Sequence, residues 1–64
     1  MNRLDDTTIN FLAHRFAVLT TDESRQPIID ELGLHPVNHA KFARSLANFH
    51  PNNWFVYLDL TAGL

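Results

Sequence analysis

The sequence contains no cysteine. No disulfide can staple the fold, no thiolate is on offer to zinc, and the absence accords with a reducing compartment. Positive charge is also short: five Lys and Arg stand against seven Asp and Glu, for a net charge of −2 at pH 7. No global basic field would draw a phosphate backbone, which argues against nucleic acid as the main partner. Long apolar runs are missing. The longest, Trp54 to Leu58, is far too short to span a bilayer, and the opening MNRLDDTTIN lacks the apolar region of a signal peptide. The expectation is a cytoplasmic chain with no membrane partner. Nor is there a nucleophile elbow, a phosphate-cradling glycine loop or a spaced acid–base pair. A chain of 64 residues leaves little room for a concave pocket. No catalytic residue, cofactor or enzyme activity is expected.

What is present is material for one small core. The chain is read as a single domain, 1–64, and a domain of that size buries only roughly 60% of the surface its unfolded chain exposes. A hydrophobic content of 45%, with five Phe, one Trp and one Tyr, still permits a core. With the usual staples missing, support must come from close helix packing or from self-association.

The periodicity reads as helix throughout. Asp5 and Asp6 offer a cap and a favourable charge at a helix start. Ile9, Leu12, Ala13, Phe16 and Leu19 then recur at spacings of three and four, widened by Phe11 and Val18, which places a first helix at about 6–19. Thr20 with Glu23, or Ser24 by itself, can cap a second helix at about 23–32, with Pro27 in its first turn. Gly33 supplies a left-handed end, after which Leu34 packs back on Ile29. Pro36 restarts a third helix, which runs to Phe49 before His50-Pro51 ends it. Phe42, Ala43, Leu46 and Phe49 form its buried stripe; Asn38, Lys41, Arg44, Ser45 and Asn48 form its wet face. The tail NNWFVYLDLTAGL alternates like a strand from Trp54 to Leu60, yet also carries helix signals, with Asn52 or Asn53 as cap and Gly63 as stop. Since no second strand candidate exists to pair with it, a fourth helix at about 53–62 is expected. The expected architecture is an all-α compact bundle of four short helices around a central helix–Gly–Pro–helix corner.

That corner invites a second reading, a DNA-binding helix-turn-helix whose third helix offers Asn38, His39, Lys41, Arg44 and Asn48 to a groove. Two fixed positive charges are few for such a reader, and Asp22, Glu23, Asp30 and Glu31 crowd the second helix. His35 and His39 stand four apart, a spacing known from metal sites, but Gly33 and Pro36 break the helix that would align them with Glu31. They read better as a capping or turn residue and a solvated one, and no metal is expected. Trp54 and Phe55 cannot both point inward on one short helix, so one aromatic should surface as a contact. The charge separation between the second and third helices suggests a two-faced module whose acidic patch meets the basic patch of another copy. The residues expected to bind a protein partner are Asp30, Glu31, Lys41, Arg44, Trp54 and Tyr57.

From about Leu19 to Ala62, through LTTDESRQPIIDELGLHP and NNWFVYLDLTAG, the chain resembles the bacterial effector-associated domains. These are small death-like helical adaptors attached to proteases, TIR domains and NTPases of defence systems. They share a short acidic turn, a helix ending in Gly-Leu, and a late Trp two turns before an Ala. The resemblance implies homotypic docking between an adaptor and an effector, with no catalytic residues. The functional expectation is thus a protein-interaction module that docks on its own or a related domain. The alternatives are the helix-turn-helix regulator, dimeric through its C-terminal segment, and a small phage- or plasmid-type inhibitor of a host protein.

Overall fold

Asp5 begins the structure by accepting a hydrogen bond from the Thr8 N–H at 2.8 Å, a side-chain cap on an otherwise orphaned donor. The computed structural model describes residues 3–63. It places α1 at Asp6–Val18, α2 at Asp22–Leu32, α3 at Pro36–Phe49, a 3-10 turn at Pro51–Asn53 and α4 at Trp54–Thr61. Among the described residues there is no strand, so the ambiguous tail is helical. The molecule is an all-α bundle of four helices.

The helix junctions differ in detail from the sequence expectation. α2 is capped by Thr21, not Thr20 or Ser24 acting first: Ser24 N–H donates to Thr21 Oγ1 at 3.1 Å and Thr21 N–H to Ser24 Oγ at 3.3 Å. This reciprocal box starts α2 at Asp22 and carries Pro27 past the first turn, where it removes the donor that would serve the Glu23 carbonyl. Both residues are exposed, so water can take that role. Gly33 has φ 65° and ψ −152°, a region open essentially to glycine but not the left-handed helical one. The chain therefore leaves α2 at a different angle, and Leu34 stands 71% exposed instead of folding back on Ile29. Pro36 opens α3 as expected, but His35 makes no side-chain cap. Asn53 occupies the cap position of α4 without a side-chain bond, and Gly63 does not adopt a positive φ.

The core joins Ile9, Ala13 and Phe16 of α1, Ile28, Ile29 and Leu32 of α2, Phe42 and Leu46 of α3, and Tyr57 of α4. Phe42 is its hub, edge-on to Phe16 at 5.4 Å between ring centres and tilted against Tyr57 at 5.2 Å. Phe11 and Val18 do not widen the α1 stripe; they are 58% and 62% exposed. Arg25 of α2 donates to the carbonyls of Phe16 (3.2 Å) and Leu19 and lies over the Phe16 ring. It thereby satisfies acceptors at the end of α1 that the helix itself cannot serve.

The dominant pairing is α1 with α3, not the α2–α3 corner. Ordered contacts show that these two helices run parallel. Leu4 N–H donates to Asn38 Oδ1 at 2.9 Å, Lys41 Nζ meets Asp6 Oδ1 at 2.8 Å, Ser45 Oγ donates to Asn10 Oδ1 at 2.9 Å, and the rings of His14 and His50 lie 5.6 Å apart. These polar rungs explain two corrections. Asn38 and Ser45, expected on the wet face, are buried because both face α1 and its N-terminal lead-in and find partners there. Phe49, expected in the core, falls in the last turn of α3, lines the α1–α3 groove and is 67% exposed.

Candidate protein-docking surface

The residues expected to bind a partner fall in three places. Asp30 and Glu31 are both exposed in the last turn of α2, where no basic residue offsets them. Asp30 accepts from Gln26 Nε2 at 3.1 Å, while Glu31 makes no hydrogen bond or ion pair with any described residue. Two carboxylates at a helix C-terminus face the negative end of its dipole, an unfavourable placement that a cation from outside would relieve. Leu34 follows about one turn later, exposed to solvent and sharing a surface depression with Asp30.

Lys41 and Arg44 lie on α3 and line a groove of about 310 Å³ between α1 and α3. Lys41 is already committed to Asp6. Arg44 is exposed and pairs with no described residue, so it is the available cation of the groove. Asn10, Asn48 and Phe49 complete the walls, with the buried Ile9 at the floor. The groove thus pairs an apolar wall with a net charge of one positive and the two amides of Asn10 and Asn48. The sequence places Asn48 on the wet face and among the residues offered to a DNA groove, and nothing in the periodicity marks Phe49 as exposed.

Trp54 and Tyr57 do not form a joint contact site. Trp54 is half-buried against the core, and Tyr57 is 6% exposed. Burial pushes the Tyr57 hydroxyl above its ordinary pKa, and the hydroxyl lies 2.8 Å from His39 Nδ1. His39 Nε2 lies 2.6 Å from the Gly33 carbonyl, which can only accept, so Nε2 carries the proton of the neutral ring and Nδ1 accepts from Tyr57. His39 is therefore a latch between the α2–α3 turn and α4, not the solvated residue expected. Tyr57 serves as core. The aromatic that surfaces on α4 is Phe55, 73% exposed, with Leu58 one turn on at 43%.

Both nitrogens of His39 are engaged internally. His35 Nδ1 is buried without a hydrogen-bond partner among the described residues. Among those residues no group of three or more His, Asp or Glu side chains is placed to hold a metal ion, and no helix is long and apolar enough to cross a membrane. No protein family, curated protein or solved structure matches the chain.

Proposed function

We propose that this chain is a protein–protein interaction module, an adaptor-type domain that works in the cytoplasm by docking on another folded protein. One observation carries the reading. Among the described residues the core closes on nine buried apolar side chains, yet six large ones (Phe11, Val18, Leu34, Phe49, Phe55 and Leu58) remain 43–73% exposed. Single exposed apolar residues are ordinary. Here several are grouped with charged or apolar neighbours: Leu34 beside Asp30, Phe49 beside Arg44, and Phe55 with Leu58 on one face of α4. Exposed apolar groups rimmed by polar ones are what a partner surface desolvates.

The same geometry weakens the DNA reading. Readers of the major groove present the first turns of the recognition helix to base edges. In α3 those turns hold Asn38 inward and His39 against Tyr57. Of the five Lys and Arg, Arg25 is spent on carbonyls and Lys41 on Asp6. The test is site-specific photo-crosslinking in cells from positions 34, 49 and 55, with 52 as control. Discrete protein adducts from the first three are expected. Nucleic-acid adducts, or a pattern no different from the control, would overturn the proposal.

A further inference from the structure

Resting on that interaction reading, we infer that the partner is a second copy of this chain, whose α2 end, Glu31 with Leu34, seats in the α1–α3 groove against Arg44 and Phe49. The two surfaces complement each other in charge, and the groove has room for an apolar side chain. On one side an acidic helix end carries Asp30 and Glu31 with no cation in its last turn, and a leucine 71% exposed stands beyond the glycine turn. On the other side the groove offers Arg44 unpaired among the described residues, an exposed Phe49 as wall, and a volume of about 310 Å³, ample for a leucine side chain. The pairing answers the two unsatisfied features at once. Glu31 gains the cation that its place at a helix C-terminus lacks, and Leu34 and Phe49 leave water together.

A phosphate backbone fits the groove less well. Asp6 stands on its rim beside Lys41, so the three charges there sum to one positive, and a chain of net charge −2 supplies no wider field. The α4 face with Phe55 and Leu58 offers no charged counterpart elsewhere on the chain that would select an occupant. The ridge and the groove lie on different elements, so the contact is heterologous. Each copy offers a ridge to one neighbour and a groove to another, which builds open chains or closed rings, not dimers alone.

The experiment uses the purified full chain in sedimentation velocity across a concentration series at low and moderate salt, with melting temperature as the folding control. The wild type is expected to show concentration-dependent mass beyond a dimer, weakening as salt rises. Glu31→Lys and Arg44→Glu should each weaken self-association by about ten-fold, since each sets like charges at the contact. Their melting temperatures should match the wild type. An equimolar mixture of the two variants should recover association, because both contacts it can form, Lys against Glu and Glu against Arg, pair opposite charges. Leu34→Asp should abolish association in either setting. Association that both charge reversals leave unchanged, or a mixture that stays as weak as its components, overturns the inference. So does a wild type that remains monomeric at millimolar concentration. If that monomer still crosslinks to a different protein in cells, the interaction reading stands while the second copy falls. If it binds duplex DNA with a steep salt dependence instead, both fall.

Discussion

Asn38 supplies the sharpest test of how this fold is held, because its side chain is 1% exposed and polar. Its Oδ1 accepts from the Leu4 N–H at 2.9 Å, and its Nδ2 donates to the Leu32 carbonyl at 3.2 Å. One side chain thus ties the lead-in to α1 and the end of α2 onto α3. Replacing it with alanine strands both backbone groups. The bond to Leu32 is buried and its loss carries the full desolvation penalty, whereas Leu4 is part-buried and can recover some hydration. At about 1–3 kcal/mol for each stranded buried group, discounted for Leu4, Asn38→Ala should cost about 2–4 kcal/mol. Domains of this length hold only about 3–10 kcal/mol in total. The melting temperature should fall by roughly 10–30 °C. Asn38→Asp separates the two bonds. Its carboxylate still accepts from Leu4, but the second oxygen then faces the Leu32 carbonyl, so burial and that acceptor favour the protonated form and raise the folded-state pKa. Stability relative to wild type should therefore return as pH falls below that raised value and be lost as pH rises through it. The assay is thermal and denaturant unfolding of both variants over a pH series. A cost below about 0.5 kcal/mol for the alanine variant, the range of an ordinary surface change, would refute the reasoning. So would an aspartate variant whose deficit is independent of pH.

Leu46→Ala should cost about 2–5 kcal/mol in the same unfolding assay, whereas Phe49→Ala, three residues on in α3, should fall within about 0.5 kcal/mol of wild type; equal costs would mean that Phe49 is core. Tyr57→Phe should cost about 1 kcal/mol by leaving His39 Nδ1 without its donor, and a double-mutant cycle with His39→Ala should show coupling and not additivity. The Asp5 carboxyl is held below its ordinary pKa, first by hydrogen bonding from the Thr8 side chain and then from its backbone N–H. Its contribution is complete above the ordinary carboxylate value and is lost as pH falls through the lower folded value; Asp5→Asn, which caps without titrating, should flatten that acid limb of the stability profile.

Helix extents were legible because their signals are local. Asp5, Pro36 and the break at His50-Pro51 act on the residues beside them, and α3 begins and ends where the sequence places it. What escaped the sequence is what depends on distant partners. Asn38 and Ser45 look like wet-face residues until their partners on the α1 side are known, a donor for Asn38 and an acceptor for Ser45, 34 and 35 positions away. The role of Arg25 needs the carbonyls at the end of α1, and the retreat of Tyr57 into the core needs His39. At the candidate surface the acidic pair and Arg44 were readable, since exposed charges on a helix declare themselves through its period. The commitment of Lys41 to Asp6 was not, because it joins two different helices.

The parallel α1–α3 pair connects the fold to its candidate surface. Apolar stripes alone would tolerate a slide of one helix along the other, since each turn repeats every 5.4 Å and offers similar surface again. The rungs Leu4–Asn38, Asp6–Lys41, Asn10–Ser45 and His14–His50 forbid that slide, because a displacement of one turn breaks every one of them together. The rungs made by the buried side chains of Asn38 and Ser45 count most, for there an unmade bond is costly, while the mostly exposed Asp6–Lys41 pair adds little by itself. Fixing this register also fixes the groove. With α3 seated where Asn38 and Ser45 hold it, Arg44, Asn48 and Phe49 share one wall, and Asp6 and Asn10 face them from α1. A chain with so small a core thus spends polar groups inside to hold one axial register. That register decides which charge and which aromatic ring stand together outside.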